Sequence, residues 1–374
     1  KPFEFRHADL VAELAAVVVM GHPDEEYSVV KIRATGESWL VMKKLQDRLL
    51  KEKLNLNDGD YEVVQLVKGA ALQGNYFRLF PESGNQPEGK IIHSDQVSSE
   101  DGSGIVHIAP GHGDIDYKVG HGLFGLPVVS PVNDGGKFSD EVGVPELKGL
   151  FVLKGGNEKV LEILKANGSL VHHETIRHSY PHCWRCKSPV IFRATYQWFL
   201  NVEHEQLRAR LLDEIKKVKW TPDYGQNRIE GMIKQRPDWC LSRQRLWGTP
   251  IPVFYCKDCA EPLLDDQAVG MVEEIIGLEG SDAWFREEPE YFLKNLTPFK
   301  CAKCGGEKFV KENDILDVWF DSGVSHQAVL RGTGKTFDGK EWKDELSCPA
   351  DMYLEGSDQH RGWFQTSLIP SVAL

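Results

Sequence analysis

Six of the eight cysteines in this 374-residue sequence are grouped by spacing into three pairs of the form Cys-x-x-Cys. These pairs are Cys183/Cys186, Cys256/Cys259 and Cys301/Cys304. Two such pairs supply the four thiolates of a tetrahedral zinc site, because a tight turn lets both sulfurs of a pair face one ion. The second and third pairs are 41 residues apart and fit best together. The sequence therefore predicts a structural Zn²⁺ site inside a small insert.

The pair at Cys183/Cys186 has no evident partner pair among the remaining cysteines. We predict that it also binds zinc. The further ligands would be His178 or His182 nearby, or residues outside this chain.

Composition limits the protein class before any motif is considered. Hydrophobic residues make up 41 % and aromatic residues 10 %, which is enough for normal cores and excludes a disordered chain. The net charge of −12 excludes a basic DNA-coating protein, although residues 185–250 carry a local charge of +6. This local basic stretch fits a polyanionic ligand or a plain solvated helix face.

The longest early apolar run has seven residues, Leu14 to Met20, far below the roughly 18 needed to span a bilayer. No signal peptide is evident, so we expect a cytoplasmic protein that does not contact a membrane. The chain opens on Lys1 and stops inside an apolar segment at Leu374. We therefore expect a piece of a longer protein.

The elements that must position these groups follow from the hydrophobic pattern. Residues 14–150 read as β-rich, with strands at 27–32, 61–67 and 104–108 and helices near 39–52 and 158–166. An amphipathic helix is predicted over 203–218, with Leu207, Leu211, Ile215 and Val218 on one face. A strand, turn and helix are predicted over 351–368. The glycine-rich stretch at 332–336 lacks the earlier glycine of a phosphate-binding loop.

Three segments identify a family. They are Trp-Cys-Leu-Ser-Arg-Gln-Arg at 239–245, Asp-Val-Trp-Phe-Asp-Ser-Gly at 317–323 and Glu-Gly-Ser-Asp-Gln-His-Arg-Gly-Trp-Phe-Gln at 355–365. Together they resemble the class I isoleucyl-tRNA synthetases, from about Leu14 to the end of the chain. The resemblance implies an α/β fold: part of a Rossmann-type catalytic domain, an inserted β-barrel editing domain and a small zinc knuckle subdomain. It also implies ATP-dependent activation of isoleucine, with Mg²⁺, and transfer of isoleucine to tRNA(Ile); DNA is not an expected partner.

The resemblance implies an aminoacyl-adenylate site near the end of the chain. Glu355 would contact the ammonium or hydroxyls, Asp358 the ribose hydroxyls and Gln359 the amino acid, while Gly356 permits close backbone approach. Flat aromatic rings enclose a branched alkane without needing polar partners, although tryptophans more often simply fill cores. The two rings predicted as walls for the isoleucine side chain are those of Trp319 and Trp363.

The resemblance also implies a hydrolytic editing site for mischarged valyl-tRNA. Asp116 is similar to the family aspartate that holds the α-ammonium of the mischarged ester, and His107 matches a histidine of the same pocket. On an alternating strand His107 points away from Val106 and Ile108. Isoleucine and valine differ by one methylene, which one hydrophobic pocket discriminates only weakly, as this enzyme family itself exemplifies.

The sequence departs from the family pattern in three respects. The phosphate-binding signatures His-x-Gly-His and Lys-Met-Ser-Lys-Ser are absent, so we expect the chain alone to be inactive in aminoacylation. Residues 1–13 contain no threonine, although the family has a threonine-rich peptide before the editing strand. In some family members a Cys pair upstream of the editing insertion completes a zinc site, which would explain the solitary pair at Cys183/Cys186.

Four regions follow from this interpretation: an editing domain over 1–180, a connective helical segment over 181–252, a zinc-binding insert over 253–312 and the second half of the catalytic domain over 313–374. Two rivals remain: a valyl- or leucyl-type synthetase, and a non-catalytic zinc- and tRNA-binding module.

Overall fold

A computed structural model describes residues 18–72, 75–76, 89–100, 102–168, 170–173, 179–296, 300–331, 340–342 and 345–374. Two compact units are evident, Lys1–Thr195 and Tyr196–Leu374. The threonine-free stretch at 1–13, His178 and the glycine-rich stretch at 332–336 lie outside the described residues. In the described part of the chain, no helix is both long and apolar enough to cross a membrane.

Two sheets organise the first unit. One sheet has the strand order β5-β6-β1-β7 and the other the order β3-β2-β4. Their strands are β1 Val18–Gly21, β2 Glu26–Ile32, β3 Ser38–Met42, β4 Tyr61–Lys68, β5 Asn75–Tyr76, β6 Gly89–His93 and β7 Ile105–Ile108. The predicted strands at 27–32, 61–67 and 104–108 are confirmed as β2, β4 and β7. In the described residues both sheets are open, and they form no closed barrel.

The predicted helix near 39–52 is wrong in its first part. Trp39 and Leu40 lie in β3, where they pair with Val30 and Val29 of β2, and helical structure begins only at Lys43. A π-helical segment then covers Arg48–Lys53. Cross-strand pairing against an apolar neighbouring strand thus prevails over local helix preference here.

Two α-helices of the first unit follow the sheets along the chain. They are α1 Asp114–Asp116, which continues as a π-helical segment over Tyr117–Leu123, and α2 Asn157–Ala166. The predicted helix at 158–166 is confirmed as α2, whose buried face carries Val160 and Leu164.

The described part of the second unit contains eight α-helices and short antiparallel strands, three of which form one sheet. The strands are β8 Phe199–Leu200, β9 Trp239–Cys240, β10 Ser242–Arg243, β11 Phe254–Cys256, β12 Pro262–Leu263, β13 Phe309–Lys311 and β14 Ile315–Leu316. The helices are α3 Leu207–Lys217, α4 Tyr224–Lys234, α5 Asp266–Glu279, α6 Asp282–Arg286, α7 Pro289–Leu293, α8 Val318–Gly323, α9 Ser325–Val329 and α10 Trp363–Ala373. Because each of these strands has only two or three residues, β-sheet makes up a small part of the unit.

The predicted amphipathic helix at 203–218 forms as α3, with Leu207, Leu211 and Ile215 buried. Val218 was predicted on the same face, but it is the extended residue that ends the helix, and its side chain is exposed. The buried face packs in a core with Ile229, Ile233 and Ile369, from α4 and α10.

The predicted strand that runs into Gly356 is not observed. Residues 351–356 have no ladder partner, and Met352 and Leu354 are exposed at 79 % and 82 %. A strand needs a neighbour to satisfy its backbone groups, and the described pairs of the second unit are all antiparallel pairs elsewhere in the chain.

Candidate active site and metal centre

The four-cysteine centre consists of Cys256, Cys259, Cys301 and Cys304, whose sulfur atoms all lie within 4.8 Å of one another. The Sγ–Sγ distance is 3.5 Å between Cys256 and Cys304 and 3.6 Å between Cys259 and Cys301. A zinc ion with four sulfurs at about 2.3 Å places those sulfurs about 3.8 Å apart at the corners of a tetrahedron. The donor set and its spacing therefore fit zinc.

Each half of this centre is a knuckle closed by two backbone hydrogen bonds. In the first, the Ala260 N–H donates to the Cys256 carbonyl at 2.8 Å, and the Cys256 N–H donates to Glu261 at 2.9 Å. In the second, the Gly305 N–H donates to the Cys301 carbonyl at 2.8 Å, and the Cys301 N–H donates to Gly306 at 2.8 Å. Ala260 and Gly305 both have left-handed backbone, with φ of 57° and 75°. The two turns thus have one design.

The long-range arrangement of the two knuckles depends on a small sheet and an apolar cluster. Strand β11 ends at Cys256, which is paired in register with Phe309 of β13. Cys256 and Cys301 are buried in a cluster with Phe254, Trp284 and Phe292. Sheet pairing and apolar packing therefore hold the sulfurs together across a gap of more than 40 residues in the sequence.

The electrostatics of the centre favour a thiolate at Cys301. Backbone N–H groups of Cys304 and Lys303 donate to its sulfur and lower its pKa to about 7. Zinc binds the thiolate form, and all four positions of a tetrahedron are filled by protein sulfur here. The four cysteines could therefore hold a metal ion as a closed, structural type of site, in which all four ligands come from the protein.

Cys183 and Cys186 form a third knuckle with the same backbone design. The Lys187 N–H donates to the Cys183 carbonyl at 2.8 Å, and the Cys183 N–H donates to Ser188 at 2.8 Å. Lys187 has φ of 60°. The backbone N–H and the hydroxyl of Ser188 donate to Cys186 and lower the pKa of its thiol. The turn is thus built like a zinc knuckle.

Among the described residues, no third histidine, cysteine or carboxylate comes close enough to Cys183 and Cys186 to complete a metal site. Nδ1 of His182 lies 2.8 Å from the Tyr180 carbonyl oxygen. Among the described residues, the structure therefore brings together one group of four possible ligands, and Cys183 and Cys186 are not part of it.

His107 and Asp116, the predicted editing residues, lie on two consecutive elements of the first unit. His107 is buried at 5 % exposure in β7, where it pairs with Val19. Asp116 ends α1, and its Oδ2 accepts a hydrogen bond from the Ala109 N–H at 2.9 Å. The carboxylate therefore folds back onto the loop that follows the strand of His107.

Two further contacts hold that loop, and both are made with residues 192–194. The carbonyl of Gly111 accepts a hydrogen bond from the Ala194 N–H at 2.7 Å, and Nδ1 of His112 lies 2.8 Å from the Phe192 carbonyl. A Cβ atom on Gly111 would lie 1.9 Å from the Val129 carbonyl oxygen. Only glycine fits this close backbone approach, which helps to explain the Gly-His-Gly sequence before Asp116.

Gly356, Asp358 and Gln359 come together at the start of a short 3₁₀ helix over Ser357–Arg361. The Asp358 carboxylate folds over Gly356, so that a Cβ there would lie 2.7 Å from Oδ1. Nε2 of Gln359 donates to Oδ2 of Asp358 at 3.0 Å, and Oε1 of Gln359 accepts from the Trp363 N–H at 3.0 Å. Glu355 and Asp358 are exposed to solvent.

The two predicted tryptophan walls lie on helices that pack together. Trp319 lies in α8, and its ring would come within 3.1 Å of a Cβ atom on Gly362, the residue before α10. Trp363 opens α10, and its Nε1 donates to the Ser322 carbonyl of α8 at 3.3 Å. Both rings therefore lie beside the start of α10, next to Gln359.

Sequence reasoning missed four residues that shape this region: Tyr353, Gly362, Asp317 and Arg243. Tyr353 stacks on Trp363 at a centroid distance of 4.3 Å. The pKa of its phenol is raised, mainly by partial burial and also by the negative charge of the nearby Glu355 carboxylate. A Cβ on Gly362 would lie 2.4 Å from Oε1 of Gln359. These contacts depend on tertiary structure.

The chain belongs to a defined family of class I enzymes. Residues 16–374 match the family described as "tRNA synthetases class I (I, L, M and V)", which covers nearly the whole sequence. The predicted family is confirmed by this match.

The similar curated proteins carry isoleucine in their names. The chain is 47 % identical over 360 residues to the isoleucine–tRNA ligase of Thermotoga maritima, covering 96 % of this chain and 37 % of that protein. It is 48 % identical over 366 residues to the isoleucine–tRNA ligase of a Sulfurihydrogenibium species, covering 95 % of this chain and 36 % of that protein. The chain thus spans little more than a third of the length of these relatives.

Similarity to solved structures is weaker. The crystal structure of GlLeuRS-CP1 matches with a TM-score of 0.33 and 11 % identity, over 46 % of this chain and 83 % of that chain. This similarity is too low to bear on the fold.

Proposed function

We propose that this chain is the central part of an isoleucine–tRNA ligase, which activates isoleucine with ATP and Mg²⁺ and esterifies it to tRNA(Ile). Within that enzyme the chain contributes the amino-acid and adenylate contacts, an editing site and structural zinc. The identity to isoleucine–tRNA ligases supports isoleucine over the valyl and leucyl alternatives. We expect the chain alone not to form the adenylate, since both ATP signature motifs are absent from it.

The observation that carries this proposal is the meeting of Trp319, Gln359 and Trp363 around the start of α10. Two indole rings beside an amide and two exposed carboxylates combine an apolar wall with polar groups, as a site for an apolar amino acid requires. In the proposed complex Asp358 accepts hydrogen bonds from the ribose hydroxyls, and Glu355 accepts from the ammonium group. Gln359 is already held by Asp358 and Trp363, so it meets the ligand in a fixed orientation.

The editing role rests on the first unit. Asp116 is held by the Ala109 N–H beside the strand of His107, on a loop fixed by Gly111 and His112. In the proposed reaction the Asp116 carboxylate binds the α-ammonium of a mischarged valyl ester, and water attacks the ester carbonyl carbon. The ester C–O bond breaks, which yields free valine and tRNA with a free 3′-terminal hydroxyl. We also propose that a β-barrel surrounds this site. The proposed domain boundaries lie at residues 180, 252 and 312.

Zinc in the four-cysteine centre has a structural role in this proposal, as an ion that cross-links two distant turns. Cys183 and Cys186 form the second half of another zinc site, completed in the parent by a pair upstream of the editing insertion. Their knuckle geometry supports this assignment, because it reproduces the hydrogen bonds of the two knuckles that meet.

Calorimetry with non-hydrolysable adenylate analogues tests the main proposal directly. We expect the chain to bind the isoleucyl analogue more tightly than the valyl and leucyl analogues. Glu355→Ala and Asp358→Ala should each weaken binding at least about tenfold, since each removes a charged hydrogen-bond partner. The matched control is Asp351→Ala, which removes an exposed carboxylate of the same segment whose partner is the Ser347 hydroxyl.

Two results would reject the proposal. Equal binding of all three analogues would reject isoleucine selectivity. Salt-sensitive tRNA binding without adenylate affinity, in folded and zinc-loaded protein, would favour the rival of a non-catalytic zinc- and tRNA-binding module.

A further inference from the structure

Asp317 is a buried residue at the junction between β14 and α8, and its side chain is only 8 % exposed. Both oxygens have partners. Oδ1 accepts a hydrogen bond from the Trp319 N–H at 3.1 Å. Oδ2 accepts from Nε1 of Trp239 at 3.1 Å and from Nη2 of Arg243 at 2.6 Å. A buried carboxylate with three donors, one of them cationic, is held in one orientation.

The groups that hold Asp317 are themselves anchored. Nη1 of Arg243 donates to the carbonyls of Cys240 and Ser242 at 2.9 and 2.7 Å. The Trp239 ring is buried and packs edge-on against Phe320 at a centroid distance of 5.9 Å. The backbone is tied to the same segment, because the Asp317 N–H donates to the Leu241 carbonyl at 2.7 Å. The segment over 239–243 therefore acts as a fixed base.

The start of α8 is tied to this anchor. Asp317 caps the helix through Trp319, the second residue of α8. The Trp319 ring is 42 % exposed, so its own packing leaves much of one side open. A partly exposed ring keeps a fixed position only if the backbone that carries it is fixed.

We propose that Asp317, through Arg243 and Trp239, is a positioning residue that fixes the Trp319 ring as a wall of the amino-acid pocket. This inference rests on the proposed function, since it assigns to Trp319 a contact with the amino-acid side chain. Asp317 itself does not touch the ligand. It discriminates among amino acids only through the ring that follows it.

A purely structural role for Asp317 makes a different prediction. Loss of a structural carboxylate would weaken every ligand of the site to the same extent. Loss of a positioning residue affects only ligands that have a side chain to contact Trp319. The comparison between isoleucyl-sulfamoyl adenosine and glycyl-sulfamoyl adenosine therefore separates the two roles, because the glycyl analogue lacks that side chain.

The experiment measures binding of both analogues to the 374-residue chain by calorimetry. Asp317→Asn keeps an acceptor for the Trp319 N–H but turns a donor toward Arg243 and Trp239. We expect it to weaken the isoleucyl analogue about tenfold and the glycyl analogue less than about twofold. Asp321→Asn, which removes a half-buried carboxylate of the same helix, is the control and should change neither.

Amide hydrogen exchange over 318–323 supplies a readout that needs no ligand. We expect exchange at Trp319 to be about tenfold faster in Asp317→Asn than in the wild type, because Arg243 and Trp239 no longer hold the side chain that accepts its N–H. Exchange should be unchanged in Asp321→Asn. Equal weakening of both analogues, or no weakening, would overturn the positioning role. If the wild type bound neither analogue, the proposed function would fail, and unchanged exchange would then overturn the anchor as well.

Discussion

The knuckle at Cys183/Cys186 and the two knuckles of the four-cysteine centre have the same backbone and different surroundings. In all three, the residue four positions after the first cysteine donates its N–H to the carbonyl of that cysteine. The donating residue has a left-handed backbone conformation in each case. Two of them meet with sulfurs 3.5 and 3.6 Å apart, whereas the third has no further ligand within the described part of the chain. A knuckle is therefore a local structure, and a metal site is a long-range one.

The largest expected effect tests the pairing itself. Cys301→Ser should remove zinc from the four-cysteine centre and lower the free energy of unfolding by several kcal/mol, since structural zinc contributes on the order of 10 kcal/mol to small metal-dependent folds. Metal analysis and urea unfolding check this. Cys348→Ser, an exposed cysteine outside the pairs, is the control. Full retention of zinc by Cys301→Ser would contradict the assignment.

Gly306→Ala tests the comparison of the knuckles at the residue five positions after the first cysteine, where their side chains differ. A Cβ there would lie 3.1 Å from the Cys256 sulfur, 3.3 Å from the Cys304 sulfur and 2.4 Å from the Asp258 carboxylate. We expect zinc affinity to fall about tenfold, a loss of about 1.4 kcal/mol, because the sulfurs must shift. Competition with a chromogenic chelator measures this.

Ser188 occupies the equivalent position of the solitary knuckle, so Ser188→Ala is the matched control. This control should leave the zinc affinity of the four-cysteine centre unchanged. An unaltered affinity in Gly306→Ala would show that the sulfurs move apart without cost.

The left-handed residue of each knuckle permits a smaller test. Gly305→Ala should destabilise the protein by about 1 kcal/mol, because φ of 75° suits glycine and strains alanine. A Cβ there would meet no atom within 4 Å, so backbone strain is the whole of the expected effect. Ala260→Gly should stabilise it by about 0.5–1 kcal/mol for the reverse reason. Thermal unfolding of the zinc-loaded protein checks both signs. Two changes of the same sign would contradict the shared backbone design.

The smallest expected effect concerns the solitary knuckle. Cys183→Ser should leave the tightly bound zinc of this chain at one ion per molecule and change the unfolding free energy by less than about 0.5 kcal/mol. Metal analysis alongside Cys301→Ser checks the difference. A second tightly bound ion in the wild type, lost in Cys183→Ser, would show that the chain completes this site itself.

The strands at 27–32, 61–67 and 104–108 and the helix at 158–166 were predictable, because each carries a hydrophobic pattern with local stop signals. The helix predicted from Trp39 was wrong because pairing of β3 with β2 prevails over local preference. The strand predicted before Gly356 was wrong for a related reason, since a strand exists only where a neighbour does. Both errors concern contacts that no local window contains.

The candidate adenylate site divides in the same way. The segment at 355–365 could be recognised from its residues, and the contacts among Gly356, Asp358 and Gln359 span only a few residues. By contrast, the meeting of Trp319 with Gly362 joins residues more than 40 positions apart, and the contacts of Asp317 with Trp239 and Arg243 join residues more than 70 apart. Those contacts depend on β10 pairing with β14 and on the packing of α8.

The sequence by itself determined the family and the three knuckles. Spacing and turn residues act over four or five positions, where a hydrogen bond can close without help from the rest of the chain. The spacing also predicted that the pairs at 256/259 and 301/304 meet. Only the tertiary structure decided how closely their sulfurs approach and which carboxylate holds the Trp319 helix. Those contacts bring distant segments together, and their stability comes from the apolar cluster around Phe254 and Trp284 and from strand pairing.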